Sequence, residues 1–573
     1  MYITLVICSC FVTVFSFPKG FISLVPIPSE KFEFYDVLDT NKHFHLFWKF
    51  NETHITFELH TKTRGYVGFG LSPNGKMFPS DVVMGWVKNG NVHFADYHTT
   101  EHSAPVKDRT QDYTLLNGEE NDFGTVLKFV RKLDTCDEND YKISDDTVRI
   151  IFAYSEEDPN DENDLRWHGT EGRGVKFMYL LNAVTKPDLS GNIITRDMIQ
   201  TNYHVPPQVT TYRCKAFTLS DLGKKHHMIK FESNIQRGME PYVHHILVYK
   251  CPPLSKEWIN KDYFCYLNGR DVAPCGSVFF GWEYGGQDFY FPDNVGMPIG
   301  EPDDDATYIM EVHYNNPELR SDLVDSSGMR ITFTPDLRKY DAGLLTTGVQ
   351  IGPTHMIPPH ETDFVNTGFC QAECLEQGLK DMPGQEVKVF AAWQHSHLLA
   401  YAMTTKHLRN GKEIEPFADD QAYDFNYQQI RLLRKEVPLK MGDSLITQCT
   451  YDSTSRTNLT LGGEATTDEM CISFIFYYPR MPLDGCLADP TFDTIPEIKD
   501  MKPPEQVKFL QGYNWKDRHA RLLFRNNMEK TKYRSSCYAR NPAFLNFKTV
   551  DRLRPTEVYH PPQRNCQKDS GNV

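Results

Sequence analysis

The apolar positions of this chain fall into short β-branched and aromatic runs between clusters of turn-forming residues, and long stretches with helical spacing are scarce. His54-Ile55-Thr56-Phe57-Glu58-Leu59 alternates in the manner of a half-buried strand, whose successive side chains face opposite sides. Gly65-Tyr66-Val67-Gly68-Phe69-Gly70-Leu71-Ser72 and Ser80-Asp81-Val82-Val83-Met84-Gly85-Trp86-Val87 extend the series, and Asn89-Gly90 suits a two-residue hairpin turn. An antiparallel sandwich follows for this part of the chain. Aromatics at 13%, with 36 Gly and 35 Pro, carry the same picture through the remaining segments, so a mostly β protein is expected. The length leaves room for about three or four domains.

Breaks in the pattern divide the chain. Residues 1–17 are a mainly apolar run ending at Pro18-Lys19-Gly20, which suits a signal-peptide core and is short for a membrane span. Residues 32–185 form a first region, Pro187 to Asp197 a linker, and residues 198–352 a second region. Residues 353–500 form a third, entered near the stiff break Ile357-Pro358-Pro359-His360. Residues 501–573 are charged and carry several prolines, with Cys537 and Cys566 placed to tie them to the body. No later apolar run is long enough for a transmembrane span.

The formal charge of −15 disfavours nucleic acid and anionic membrane surfaces as partners. Cys8 and Cys10 fall in the expected leader; the other twelve cysteines are an even set, as complete disulfide pairing in an oxidising lumen requires. Composition leaves their connectivity open. Asn51-Glu52-Thr53 and Asn458-Leu459-Thr460 are glycosylation sequons. A secreted or secretory-lumen chain is expected. The acidic run Glu156 to Asp164 lacks the register of a calcium loop and reads as solvated.

Candidate chemistry lies in the histidines. In Ala391-Ala392-Trp393-Gln394-His395-Ser396-His397 the i, i+2 spacing puts His395 and His397 on one face of a strand, where both can grip one metal ion. Upstream stand the adjacent pair His244-His245 and the lone His313, each in an apolar strand run. Neighbouring residues of a regular strand face opposite ways, so His244 and His245 can share an ion only across a bulge. His43 and His45 repeat the i, i+2 spacing but follow Asn41-Lys42 at a strand start, and read as a solvated pair. Zinc is a rival ion, but no HExxH motif occurs. Met470, which opens a strand run, offers a thioether, and this soft donor favours Cu(I). A His/His/Met set therefore points to redox copper.

These residues carry a family resemblance. Val243-His244-His245, Glu311-Val312-His313-Tyr314-Asn315-Asn316-Pro317, His395-Ser396-His397-Leu398, Asp468-Glu469-Met470-Cys471 and Tyr477-Tyr478-Pro479 together resemble the copper type II, ascorbate-dependent monooxygenases. Gly65 to Val87 resembles a DOMON domain. The resemblance runs from about residue 32 to about residue 566. It implies a DOMON-type β-sandwich over residues 32–185 and two jelly-roll-like copper-binding β-sandwiches, residues 198–352 for electron transfer and 353–500 for oxygen binding. A disulfide-tethered carboxyl-terminal tail, residues 501–573, completes the chain.

The same resemblance implies one copper on His244, His245 and His313 and a second on His395, His397 and Met470, with His226-His227 outside both sets. It implies the disulfides Cys136 to Cys566, Cys214 to Cys265, Cys251 to Cys275, Cys370 to Cys486, Cys374 to Cys537 and Cys449 to Cys471. Ascorbate would deliver electrons, dioxygen would be the co-substrate, and a small organic molecule held in a cleft between the sandwiches would be hydroxylated.

Substrate identity is less marked. Where the peptide-amidating branch carries an arginine two residues before the His-x-His pair, this chain has Trp393. The acidic amine anchor expected after Asp341-Ala342-Gly343 is Thr346. Tyr477 matches a tyrosine of the dopamine-hydroxylating branch and is a candidate catalytic residue, and Glu311 is a candidate cation partner. A phenethylamine-like substrate is the reading; the alternative is a catalytically silent copper- or ligand-binding protein on the same scaffold. The first region could then hold a ligand of its own, even haem between Met77 or Met84 and His168. Homo-oligomerisation is left open.

Overall fold

A computed structural model describes residues 25–162, 164–181, 189–254, 258–259, 261–267, 270–271, 278–301, 306–539, 546–561 and 566. The expected leader and part of the expected linker lie outside these residues. The described chain is mostly β, as the alternation predicts, with three successive pairs of sheets.

In the first pair a 5-stranded sheet, with Phe44–Phe50 and His54–Thr61 inside it, faces a 6-stranded sheet containing Val67–Ser72 and Ser80–Lys88. Phe44, Trp48, Phe57, Phe69 and Phe129 fill the space between them. The hairpin between Ser80–Lys88 and Asn91–Thr99 turns at Asn89 (φ 53°) and Gly90 (φ 79°), the positive angles that favour this pair of residues. His45 departs from expectation. It is buried, because strand Phe34–Val37 pairs across it, and its two ring nitrogens contact the Tyr35 hydroxyl at 2.9 Å and the Lys42 carbonyl at 3.0 Å. Both nitrogens are occupied, so it is neither solvated nor a metal ligand.

The second pair comprises a 6-stranded sheet and a 5-stranded sheet ordered Asp262–Phe264, Thr210–Thr218, Thr307–Asn315, Val243–Cys251, Val278–Glu283. The third pair has a 7-stranded sheet, in which Glu386–Ser396 and Cys471–Tyr478 are neighbours, and a 4-stranded one. One apolar core crosses from the second pair into the third: Phe280 and Phe289 join Phe390, Trp393 and Phe476, with Phe289 and Phe476 rings 5.0 Å apart. Burial of this area removes apolar surface from water and locks the two sandwiches together.

The carboxyl-terminal region is tethered and also woven in. Strand Tyr533–Tyr538 pairs with Gly485–Pro490 inside the 7-stranded sheet, and helices Pro503–Gln511 and Arg518–Lys530 bury Val507, Leu510, Phe524 and Met528. Cys136–Cys566, Cys214–Cys265, Cys370–Cys486, Cys374–Cys537 and Cys449–Cys471 are joined. Cys251 is also disulfide-bonded, and its expected partner Cys275 lies outside the described residues.

A buried charge cluster in the third sandwich makes stability depend on acid. Asp443, 1% exposed, accepts from Arg409 Nη2 at 2.8 Å and faces His407 Nε2 at 2.7 Å. Burial pushes its carboxyl up, but the bonds from Arg409 and His407 outweigh burial and hold it at about 2. A folded value below the unfolded one gives stability that is present above about pH 4 and is lost as pH falls through about 2. The stability gap between wild type and D443N, read by urea unfolding, should therefore contain a pH-dependent part of about 2 kcal/mol at neutral pH that shrinks toward zero below pH 3. A gap constant from pH 7 to pH 2 would contradict this.

Candidate metal centre

Strand Val243–Cys251 carries the irregularity that its adjacent histidines need. Its register against Thr307–Asn315 shifts between Val243 and His245, a β-bulge that puts His245 directly opposite His313 and turns His244 toward the same side. The three rings have centroids 5.6 Å (His244 to His245), 5.1 Å (His244 to His313) and 4.7 Å (His245 to His313) apart. One nitrogen from each lies within 4.8 Å of the others, and all three residues are buried.

Both nitrogens of His244, Nδ1 of His245 and Nδ1 of His313 have no hydrogen-bond partner. The remaining nitrogens point outward: His313 Nε2 faces Thr466 Oγ1 at 3.3 Å, and His245 Nε2 lies 3.7 Å from a Glu311 oxygen. Burial, reinforced by the neighbouring imidazoles, pushes His244 down to about 3 and His313 well below its ordinary range. Burial likewise holds His245 at about 4, against the opposing charge of Glu283. Three neutral imidazoles with unpaired nitrogens facing one another cost about 1–3 kcal/mol per orphaned group unless something accepts their lone pairs. This donor set fits a copper ion.

The second set forms where Glu386–Ser396 ends beside the start of Cys471–Tyr478, with Ser396 opposite Cys471. The His395 and His397 rings are 5.2 Å apart. His395 Nδ1 contacts Gln428 Oε1 at 2.8 Å and Glu283 Oε1 at 2.9 Å, while His397 Nδ1 donates to the Asp468 carbonyl at 3.1 Å. Since all three partners are acceptors, the proton of each ring sits on Nδ1. Burial holds His397 well below its ordinary range and leaves its Nε2 lone pair free. At His395 burial is outweighed by Glu283 and Gln428, which push it up, so a metal there competes with a proton for Nε2. Met470 is buried, and its carbonyl accepts from Ser396 Oγ at 2.6 Å and Tyr451 Oη at 2.8 Å. Glu469 pins the turn, accepting from the backbone N–H of His397 (3.0 Å) and Leu399 (2.6 Å). Burial raises its carboxyl to about 7 against those bonds.

His245, His395, His397 and Met470 line one cavity of about 650 Å³. The two sets are closer than the walls of an open cleft: the His245 and His395 rings are 6.2 Å apart. Glu311 lines the cavity too and is buried rather than solvated, because its strand lies between two others in the sheet. Thr346 also faces this space.

Tyr477 does not share the cavity. It lies six residues along the strand from Cys471, about 20 Å at 3.3 Å per residue, with its hydroxyl 3.4 Å from the Leu483 carbonyl in a separate core. Its expected catalytic role is therefore corrected to packing. His226 and His227 are engaged elsewhere, by the Lys224 carbonyl at 2.8 Å and Asp341 at 2.9 Å. In the first sandwich Met77, Met84 and His168 line a second cavity of about 820 Å³, with His168 Nδ1 bonded to the Gly169 carbonyl at 2.8 Å.

Several residues at the site escaped sequence reasoning. The loop after Lys412–Asp420 presents Tyr423, which exchanges hydrogen bonds with the Ser396 backbone at 2.7 and 2.9 Å, Phe425, stacked 4.3 Å from His244, and Gln428. The first sandwich braces this loop: Thr147 donates twice to Asp420 (3.0 and 2.6 Å), and Arg149 pairs with Asp424 at 3.1 Å. Nothing in the local pattern marks such long-range contacts. Glu283 had a signal, being the lone charge in the apolar run Val278-Phe279-Phe280-Gly281-Trp282-Glu283.

Comparison with known proteins agrees with the geometry. Residues 196–321 match the family model described as copper type II ascorbate-dependent monooxygenase, N-terminal domain; residues 340–496 match its C-terminal domain, and residues 40–155 match the DOMON domain. DBH-like monooxygenase protein 1 of Homo sapiens is 39% identical over 477 residues, 83% of this chain and 76% of that protein. Dopamine beta-hydroxylase of Bos taurus is 32% identical over 476 residues, 81% of this chain and 77% of that protein. Coverage of this extent at these identities shows that the chain belongs to the copper type II, ascorbate-dependent monooxygenase family.

Proposed function

We propose that this chain is an active monooxygenase holding two copper ions, one on His244, His245 and His313 and one on His395, His397 and Met470, and that it hydroxylates a small organic amine with ascorbate as reductant. The observation that carries this reading is the buried trio His244, His245 and His313 with unpaired ring nitrogens, beside a cavity that His245, His395, His397 and Met470 line together. Bound copper would supply one-electron redox chemistry and dioxygen activation, the thioether of Met470 favouring the reduced ion.

The chain's own groups do the rest. Glu283, Glu311 and Glu464 line the cavity, and no lysine or arginine does among the described lining residues. A protonated amine suits such a wall, and Tyr249, Tyr263, Phe474 and Tyr538 offer surfaces for an aromatic ring. A phenethylamine-like molecule meets both demands. The disulfides, the apolar leader and the exposed Asn51 and Asn458 support a glycosylated protein of the secretory pathway. Among the described residues no helix is long and apolar enough to cross a membrane.

Copper analysis of the purified protein, followed by ascorbate-dependent oxygen uptake with a panel of phenethylamines, tests the proposal. Two coppers per chain with amine-dependent uptake are expected. Two coppers without turnover would favour a binding protein, for which the second cavity, beside Met84 and His168, offers a separate ligand site. Absence of copper would remove the redox reading.

A further inference from the structure

Glu283 belongs to the second sandwich, at the end of strand Val278–Glu283 and opposite His245, yet its carboxylate reaches the third sandwich and meets His395 Nδ1 at 2.9 Å. It is 2% exposed, and its second oxygen has no hydrogen-bond partner. A buried carboxylate with an unpaired oxygen is costly, and the strand offers no structural return for it. The crossing is reciprocal, since Thr466 of the third sandwich meets His313 Nε2 of the second at 3.3 Å.

We propose that Glu283 is a positioning residue: from the second sandwich, and together with Gln428, it holds the proton on His395 Nδ1 and so presents the Nε2 lone pair to a metal in the third. The metal-binding state of the His395, His397 and Met470 set is thereby completed only when the two sandwiches are closed on each other. This rests on the copper assignment above. Partners behind a ligating histidine fix its tautomer and ring orientation, and their loss typically costs about 10–100-fold in metal affinity. A glutamine at this position would keep an acceptor oxygen; leucine or alanine would not.

The test is anaerobic competition of the Cu(I)-loaded full chain against a chromophoric Cu(I) chelator, for wild type, E283Q, E283L and E283A, with thermal melting as a folding control. E283A removes the acceptor without adding an apolar branch, in case E283L does not fold. The expected result is that one of the two coppers is lost at about 10–100-fold lower chelator in E283L and E283A, that the other is unaffected, and that E283Q stays within about 3-fold of wild type. Equal retention of both coppers in E283A and wild type would overturn the proposal. So would an E283Q loss as large as that of E283A, which would assign the effect to charge instead of to the held proton. A wild-type chain that binds fewer than two coppers would overturn the copper assignment itself, a distinguishable outcome.

Discussion

Replacing His397 by alanine will abolish amine- and ascorbate-dependent oxygen uptake and leave one copper tightly held per chain. His397 supplies one of two imidazoles at a set whose third member is a weakly donating thioether, so its loss leaves a single nitrogen donor. The affinity of that set should fall by more than the roughly 10–100-fold typical of groups behind a ligand. The other set, on a bulged strand of a different sheet, keeps its three rings. M470A should also lose oxygen uptake, since the soft donor that favours the reduced ion is gone. H245A should differ in kind: it should keep the copper on His395, His397 and Met470 and weaken the other, and because hydroxylation with release of water consumes two electrons, one remaining reduced copper per chain should not complete a turnover. Copper per chain after dialysis and oxygen-electrode rates read these outcomes, and full hydroxylation by any of the three variants would refute the role given to that residue.

Replacing Trp393 by alanine will cost about 3–5 kcal/mol of unfolding free energy, the range for removing a large buried aromatic. Trp393 is 1% exposed, packs 4.9 Å from the Phe474 ring, and lies so close to Gly281 of the neighbouring sandwich that a Cβ there would come 2.8 Å from its ring. Its removal opens a void where the two sandwiches share one core. Trp393→Phe, which retains most of the ring contact, should cost markedly less. Urea unfolding of the full chain measures both; a W393A loss below about 1 kcal/mol would mean that this core does not join the sandwiches.

The alternation of short apolar runs made the β class and the first hairpin legible because they are local properties of strands and turns. The His-x-His spacing and the soft thioether carried the candidate site for the same reason. What stayed hidden is long-range. Gln428 reaches His395 from 33 residues away and Asp420 meets Thr147 from 273 away, and neither residue sits in a pattern that marks it. His45 read as solvated because its polar neighbours precede a strand start, whereas pairing with Phe34–Val37 covers it. Tyr477 read as catalytic through resemblance alone, and strand length removes it from the cavity. The charged carboxyl-terminal segment concealed the apolar faces of two helices, since only Val507, Leu510, Phe524 and Met528 show the helical spacing.

The central claim is that two metal-binding trios stand side by side at the junction of two sandwiches. Anomalous diffraction at the copper edge from crystals of the copper-loaded protein tests it most directly. Two peaks are predicted, one among the rings of His244, His245 and His313 and one between His395, His397 and the sulfur of Met470. A single peak, or copper bound away from either trio, would contradict it.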